Sequence, residues 1–290
     1  MSNLKGLGVA LVTPFNKDLS VDFVSLTKLV EFNIKNGTNY LVVLGTTAEV
    51  ATLSTEEKNA VIKHIIKVNN SRLPLVLGIG GNNTMEVKRQ IEETDLSAFE
   101  AVLSVSPYYN RPNQEGLYQH YKMLAGTGKK IIIYNVPSRT GQNIDASTTL
   151  RIANDFSNIF LIKEAGPNIN QYFDILRQRP EGFNLVSGDD EFTLPVTLAG
   201  GKGVISVIGQ AYPKEFSSMV QLAFDGKVKE AYEIHNKMVE ITRYIFAEGN
   251  PAGIKTILAE MGIVRNYVRL PLVIATDGLQ NKIKAEMAKI

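Results

Sequence analysis

The residue best placed for covalent chemistry is Lys163, which closes the β-branched, apolar run Ile159–Lys163 just before Glu164 and Ala165. Leu161 and Lys163 share one face of a strand, because side chains alternate with period two. If that face points into an apolar interior, the ammonium is poorly hydrated and its pKa falls. A neutral amine near pH 7 attacks a carbonyl and forms a Schiff base. The other arrangement open to this lysine is snorkelling to water or pairing with Glu164. The ends of the other apolar runs carry Thr46, Thr47, Tyr109, Tyr134, Arg139, Gly188 with Asp189 and Asp190, and Ile205. That set holds one nucleophile, several hydroxyls and a fixed cation. Schiff-base chemistry needs repeated proton transfers, and hydroxyls near an amine supply them without histidine. Tyr134 falls one strand before Lys163, so adjacent strands would bring the two within reach. Its alternative is packing, with the hydroxyl in water.

Other chemistries fit less well. The three histidines, His64, His120 and His235, all fall in segments with helical spacing, which argues against zinc at the strand ends. Asp189, Asp190 and Glu191 are one local run, more suited to a turn and a helix N-terminus than to a magnesium site built from several strands. No metal is expected. Adjacent carboxylates would repel a phosphate there. Ile208-Gly209-Gln210 lacks paired glycines, and Gly78-Ile79-Gly80-Gly81 has no accompanying P-loop lysine. The substrate class is therefore a non-phosphorylated carbonyl compound, with anion recognition left to Arg139 and to backbone amides around Thr46 and Thr47.

The elements that must position these groups repeat a single unit. Strands are predicted at Gly8–Val12, Tyr40–Leu44, Leu75–Ile79, Ala101–Val105, Lys130–Tyr134, Ile159–Lys163, Leu185–Ser187 and Gly203–Val207, with helical segments between them. Ser54-Thr55-Glu56-Glu57 is a capping box that opens one helix, and Gly37 is a helix stop. Eight β-then-α units about 30 residues apart indicate an α/β fold, a parallel (β/α)8 barrel. An open doubly wound sheet is the runner-up and lacks a dinucleotide fingerprint. The barrel is predicted over residues 1–225. Residues 226–290 form a C-terminal helical extension packed on it, with helices at Lys227–Phe246, Pro251–Met261 and Leu279–Ile290.

Composition is consistent with this. The 290 residues are 44% hydrophobic and 21% charged, with a formal net charge of +2, which argues against a nucleic-acid or membrane-surface partner recognised by bulk charge. There is no cysteine, so disulfides and thiolate chemistry are excluded. No signal-like start and no membrane-length apolar run is evident, and a cytoplasmic location is expected.

Five motifs, in order, carry a resemblance: Gly45-Thr46-Thr47-Ala48-Glu49, Tyr108-Tyr109-Asn110-Arg111-Pro112, Tyr134-Asn135-Val136-Pro137-Ser138-Arg139-Thr140-Gly141, Ile162-Lys163-Glu164-Ala165 and Ser187-Gly188-Asp189-Asp190. The chain resembles the class I pyruvate-aldolase superfamily and, within it, the dihydrodipicolinate synthase family, over nearly its whole length. The resemblance implies that Lys163 forms the Schiff base with pyruvate. Tyr134, Thr46 and Tyr109 would be the proton relay, with Tyr109 reaching into a neighbouring subunit. Thr47 would hold the pyruvate carboxylate, Gly188 and Ile205 would line the pocket, and Arg139 would anchor L-aspartate-4-semialdehyde. It further implies lysine and diaminopimelate biosynthesis, no cofactor, and a homotetramer built as a dimer of dimers. N-acetylneuraminate and keto-deoxy-sugar lyases share the lysine and tyrosine. Arg139 favours the synthase, because a guanidinium suits a small acidic aldehyde better than a polyol. A magnesium-dependent barrel and a catalytically silent binding barrel are the readings from other classes.

The chain departs from the family pattern in places. Ala48 replaces a glycine, which is tolerable only if its φ is negative. Ala252-Gly253 follow Asn250-Pro251, at a place expected to be remote from the chemistry. The family's lysine-inhibitor site would map to Val50, Ala51, Thr55, Lys58, Asn82, Glu86 and Tyr108. Thr55 and Lys58 stand there in place of histidines, and Val50 in place of a serine. Lys58 would oppose a cationic inhibitor at a cost on the order of several kcal/mol before screening, so weak or absent inhibition is expected. Alternatively Lys58 points to solvent and pairs with a glutamate.

Overall fold

Each short apolar run becomes one strand: β1 (Gly6–Ala10), β2 (Tyr40–Val43), β3 (Leu75–Gly78), β4 (Ala101–Val105), β5 (Ile131–Asn135), β6 (Ile159–Glu164), β7 (Asn184–Ser187) and β8 (Gly203–Ser206). They close into a barrel in chain order. The pairings from β3 to β8 and between β1 and β2 are parallel. The structure, a computed structural model, describes residues 4–290. The expected (β/α)8 architecture is the one the chain adopts, with further helices after the last strand.

By compactness the chain divides into one unit of residues up to Gly6 with Pro74–Ile205, and another of Leu7–Leu73 with Ser206–Ile290. The first carries α3 (Thr84–Glu93), α4 (Gln114–Ala125), the short α5 (Pro137–Thr140), α6 (Ala146–Asp155), α7 (Ile169–Gln178) and α8 (Thr193–Leu198). Its β5–β6 ladder pairs Tyr134 with Lys163 and Asn135 with Glu164. At Gly203 φ is +109°, and an added Cβ would lie 2.1 Å from the Gly6 carbonyl oxygen, so only glycine lets β8 approach β1 this closely.

The second unit carries α1 (Phe23–Lys35), α2 (Thr55–Asn69), α9 (Pro213–Phe224), α10 (Val228–Phe246), α11 (Ala252–Glu260) and α12 (Asp277–Met287). The capping box at α2 forms as read: Ser54 Oγ accepts from the Glu57 N–H, and Glu57 accepts from the Ser54 N–H. Such caps contribute about 1 kcal/mol. α10 packs on α9, α11 and α12, and α1 packs on α2. Gly253 makes the α10–α11 approach possible, since a Cβ there would sit 2.5 Å from the Ile245 Cα.

β1 begins and ends two residues earlier than predicted. The ladder pairs Gly8 with Tyr40 and Ala10 with Val42, whereas the Val12 N–H donates to the Gln210 side chain at 3.0 Å. Apolar periodicity alone runs through Leu11 and Val12, because both stay buried beyond the strand. Pro137–Thr140, just after β5, is a helical turn with proline at its start, where the missing N–H costs nothing.

Candidate active site

The end of β6 separates two adjacent side chains onto opposite faces. Glu164 meets Gln171 of α7, so its face is the one turned to the helices. By alternation, Lys163 and Leu161 face the barrel interior. Lys163 is 5% exposed, and its Nζ lies 4.4 Å from the centroid of the Tyr134 ring. Glu164 is turned away from it, which removes the Lys163–Glu164 pairing that the sequence left open. The amine thus has a nearly dry, aromatic surrounding and a phenol on the next strand, in direct register.

Glu164 is fully buried and accepts neutral donors: Asn135 Nδ2 at 2.9 Å to each oxygen, Gln171 Nε2 at 2.8 Å and the Gly166 N–H at 2.7 Å. Burial pushes its carboxyl up to about 7, and these hydrogen bonds work against that rise. Asn135 also takes the Ile144 N–H on Oδ1 and donates to Asn143. The same network therefore ties down both ends of the segment that carries Arg139.

Beside the lysine, Gly188 follows β7. A Cβ there would lie 2.9 Å from Lys163 Cε and Cγ and 2.7 Å from Ala165 Cβ, so glycine leaves room for the lysine stem. Asp189 Oδ1 accepts the Glu191 and Phe192 N–H groups at 2.9 and 3.3 Å, closing the turn that leads to α8. Burial raises its carboxyl above the usual range. Ile205 is buried in β8. Of the histidines, His64 lies in α2, His120 in α4 and His235 in α10.

After β2, Thr46–Ala48 form a 3₁₀ turn whose first N–H groups are of the kind such a turn leaves without internal partners. Left-handed residues bracket it, Leu44 and Glu49, each with φ of +56°. Ala48 is inside the turn, with its carbonyl accepting from Thr13 Oγ1 at 2.8 Å, so the left-handed position is Glu49 and the alanine is accommodated. Thr47 Oγ1 receives Asn250 Nδ2 at 2.9 Å. Asn250, two residues before the Ala252-Gly253 pair, thus reaches a candidate site threonine, while Gly253 packs against Ile245. Glu49 Oε1 pairs with Lys255 Nζ at 2.5 Å, and Glu49 Oε2 accepts the Arg269 N–H at 2.9 Å. Neither side chain of the Glu49–Lys255 pair reaches solvent by more than 1%. Burial pulls the Lys255 ammonium down to about 8, against the pull of Glu49.

Arg139 is exposed at the end of α5. Tyr109 is 90% exposed with φ of +71°, a left-handed conformation that costs a non-glycine residue about 1–2 kcal/mol. Its turn is held by Asn110, whose N–H donates to the Tyr108 carbonyl and whose Nδ2 donates to the Asn82 carbonyl, both at 2.8 Å. Of the inhibitor-site positions, Val50 and Ala51 sit in a second 3₁₀ turn, Thr55 and Lys58 in the first turn of α2, and Tyr108 on the surface. Glu86 is engaged on its own helix by Arg89 and Gln90, and the Arg89 guanidinium holds its carboxyl at about 2.

Sequence reasoning missed the supporting residues Asn135, Gln171, Glu49, Lys255 and Asn250. A signal existed for Lys255, a lone lysine in the apolar stretch Gly253-Ile254-Lys255-Thr256-Ile257-Leu258. None existed for Asn250, whose partner lies 203 residues away.

Comparison with known proteins gives a consistent result. A model of the dihydrodipicolinate synthetase family matches residues 3–290. A 4-hydroxy-tetrahydrodipicolinate synthase of Flavobacterium psychrophilum is 54% identical over 279 residues, covering 96% of this chain and 95% of its own. One from Parabacteroides distasonis is 52% identical over 272 residues, covering 93% and 92%. The dihydrodipicolinate synthase structure from Thermotoga maritima superposes with a TM-score of 0.96 at 35% identity, covering 99% of this chain and 98% of that one. The enzyme from Acinetobacter baumannii, solved in complex with pyruvate, gives 0.95 at 38% identity, covering 99% and 98%.

Proposed function

The chain belongs to the dihydrodipicolinate synthetase family and acts as a 4-hydroxy-tetrahydrodipicolinate synthase, a lyase of lysine and diaminopimelate biosynthesis; we propose how its residues divide that chemistry. The Lys163 amine attacks C2 of pyruvate, and the carbinolamine loses water to give the imine. Loss of a C3 proton gives the enamine, whose C3 attacks the aldehyde carbon of L-aspartate-4-semialdehyde. The amino group of that substrate then displaces Lys163 from C2, closing the ring and freeing the enzyme amine. Tyr134, opposite Lys163 in the ladder, passes protons at each step together with Thr46 and Tyr109. Thr47 and the amides of its turn take the pyruvate carboxylate, Gly188 and Ile205 shape the pocket, and Arg139 holds the semialdehyde carboxylate. Residues 1–225 serve as the catalytic barrel and 226–290 as a helical extension packed on it.

The observation that carries this reading is the buried lysine amine against the Tyr134 ring. Borohydride reduction in the presence of pyruvate tests it: an adduct is expected on Lys163, absent in Lys163→Ala. No adduct on the intact protein would leave a silent barrel. Cleavage of N-acetylneuraminate with no turnover of aspartate semialdehyde would assign the sister activity instead.

The exposed, left-handed Tyr109 supports a homotetramer in which this side chain enters a neighbouring subunit's site. Sedimentation of the wild type should give four copies. Among the described residues no helix is long and apolar enough to cross a membrane, and we place the protein in the cytoplasm. Val50, Ala51, Thr55, Lys58, Asn82, Glu86 and Tyr108 form a regulatory position in which Lys58 weakens L-lysine binding. An inhibition midpoint below millimolar lysine would refute this.

A further inference from the structure

The turn that carries Thr46 and Thr47 is held from behind by residues that follow the barrel. Three separate ties reach it from the stretch 250–269. Asn250 Nδ2 donates to Thr47 Oγ1 at 2.9 Å. Lys255 Nζ donates to Glu49 Oε1 at 2.5 Å and to the Tyr267 carbonyl at 2.8 Å. The Arg269 N–H donates to Glu49 Oε2 at 2.9 Å, while its guanidinium donates to the Thr52 carbonyl and forms a bidentate pair with Glu57. Both oxygens of the Glu49 carboxylate are therefore fixed by one segment. Glu49 is also the left-handed residue that ends the threonine turn, a backbone state that persists only where surrounding contacts determine it. Phe15 completes the arrangement, with Lys255 Nζ 4.2 Å and the Arg269 guanidinium carbon 4.5 Å from its ring centroid.

We propose that Asn250 and the Glu49–Lys255 pair are positioning residues for the binding of the keto-acid carboxylate, setting the hydroxyl direction of Thr47 and the backbone of the Thr46–Ala48 turn. This role rests on the Schiff-base reading of the site. None of these groups need touch the reacting carbons, so their loss acts on capture of the first substrate and leaves later steps nearly intact. A buried pair kept only for stability would affect unfolding and leave substrate saturation unchanged.

The test measures pyruvate saturation of borohydride trapping and steady-state kinetics on folded protein, with circular dichroism as the fold check. Asn250→Ala removes one neutral donor and strands no charge. It should raise half-saturating pyruvate about three- to tenfold, the worth of one hydrogen bond, with kcat within about twofold. Glu49→Gln keeps the shape and an acceptor and should raise it about tenfold, whereas Glu49→Ala should raise it further, so that glutamine partly rescues alanine. Lys255→Met leaves Glu49 buried and unpaired; if it fails to fold, the double variant Glu49→Gln with Lys255→Met removes both charges and reads the same quantity. Folded Asn250→Ala and Glu49→Gln proteins that saturate at the wild-type pyruvate concentration would overturn the positioning role while the Lys163 adduct still forms. A wild type that traps no pyruvate would remove the Schiff-base site, and this proposal with it.

Discussion

Two lysines are buried among the described residues, and their surroundings differ in one decisive group. Lys163 and Lys255 each hold the ammonium over an aromatic ring, at 4.4 Å from the centroid of Tyr134 and 4.2 Å from that of Phe15. Such contacts contribute about 0.5–2 kcal/mol and do not distinguish the two sites. The carboxylate does. Lys255 is neutralised by Glu49 at 2.5 Å and further bonded to a carbonyl, which commits its protons to structure. The carboxylate nearest Lys163 in sequence is turned to the other face of β6 and satisfied by amides. Strand β6 thus turns its carboxylate away from Lys163, whereas Lys255 is held by one.

The largest effects are expected at the lysines themselves. Lys163→Met should abolish turnover and pyruvate trapping while costing about 1 kcal/mol or less of stability, since no buried charge loses its partner. Lys255→Met should cost about 3–5 kcal/mol in denaturant unfolding, because Glu49 is left unpaired. Equal losses in the two variants would erase the distinction. Next in size, Tyr134→Phe should lower kcat about a hundredfold through lost proton transfer, measured in a coupled assay with both substrates. An unchanged rate would take Tyr134 out of the relay. Arg139→Ala should then raise the KM for the semialdehyde about tenfold or more while moving that for pyruvate much less. Parallel rises in both would place the guanidinium elsewhere.

The smallest effect is expected at Glu164, the carboxylate next to Lys163 in sequence. The folded-state pKa of Glu164, about 7, is above the ordinary carboxyl value of 4.5. The folded chain therefore keeps this proton longer than the unfolded chain does. The stability it contributes is fully present below pH 4.5 and is lost as pH rises through about 7. Glu164→Gln cannot titrate, so thermal unfolding between pH 4.5 and about 7 should show a flatter pH dependence than the wild type. Retention of the wild-type slope would show that another group carries it.

The barrel could be read from the sequence because eight apolar runs each end at turn residues and alternate with helical spacing, and that pattern is local. The placement of Lys163 beside Tyr134 was readable for the same reason: a lysine at the end of a β-branched run, a tyrosine one strand earlier, and a register that follows from parallel pairing. The supporting shell was not. Glu164 resembles a salt-bridge partner until Asn135 and Gln171 are seen around it. The bond from Asn250 to Thr47 depends on where a chain segment 203 residues later comes to rest, which no periodicity encodes. Ala48 shows the intermediate case, where the requirement for a negative φ could be stated from the residue type, while the relocation of the left-handed turn to Glu49 could only be observed.

The tie between Asn250 and Thr47 also bears on synthesis. A nascent chain emerges from its N-terminus, and domains form as their segments become available. A chain released from the ribosome only as far as residue 225 has all eight strands and the amine outside the tunnel. It still lacks the amide that orients the Thr47 hydroxyl and the ammonium that neutralises Glu49. All eight strands are thus made before the partners of Thr47 and Glu49, which arrive only with residues 250 and 255.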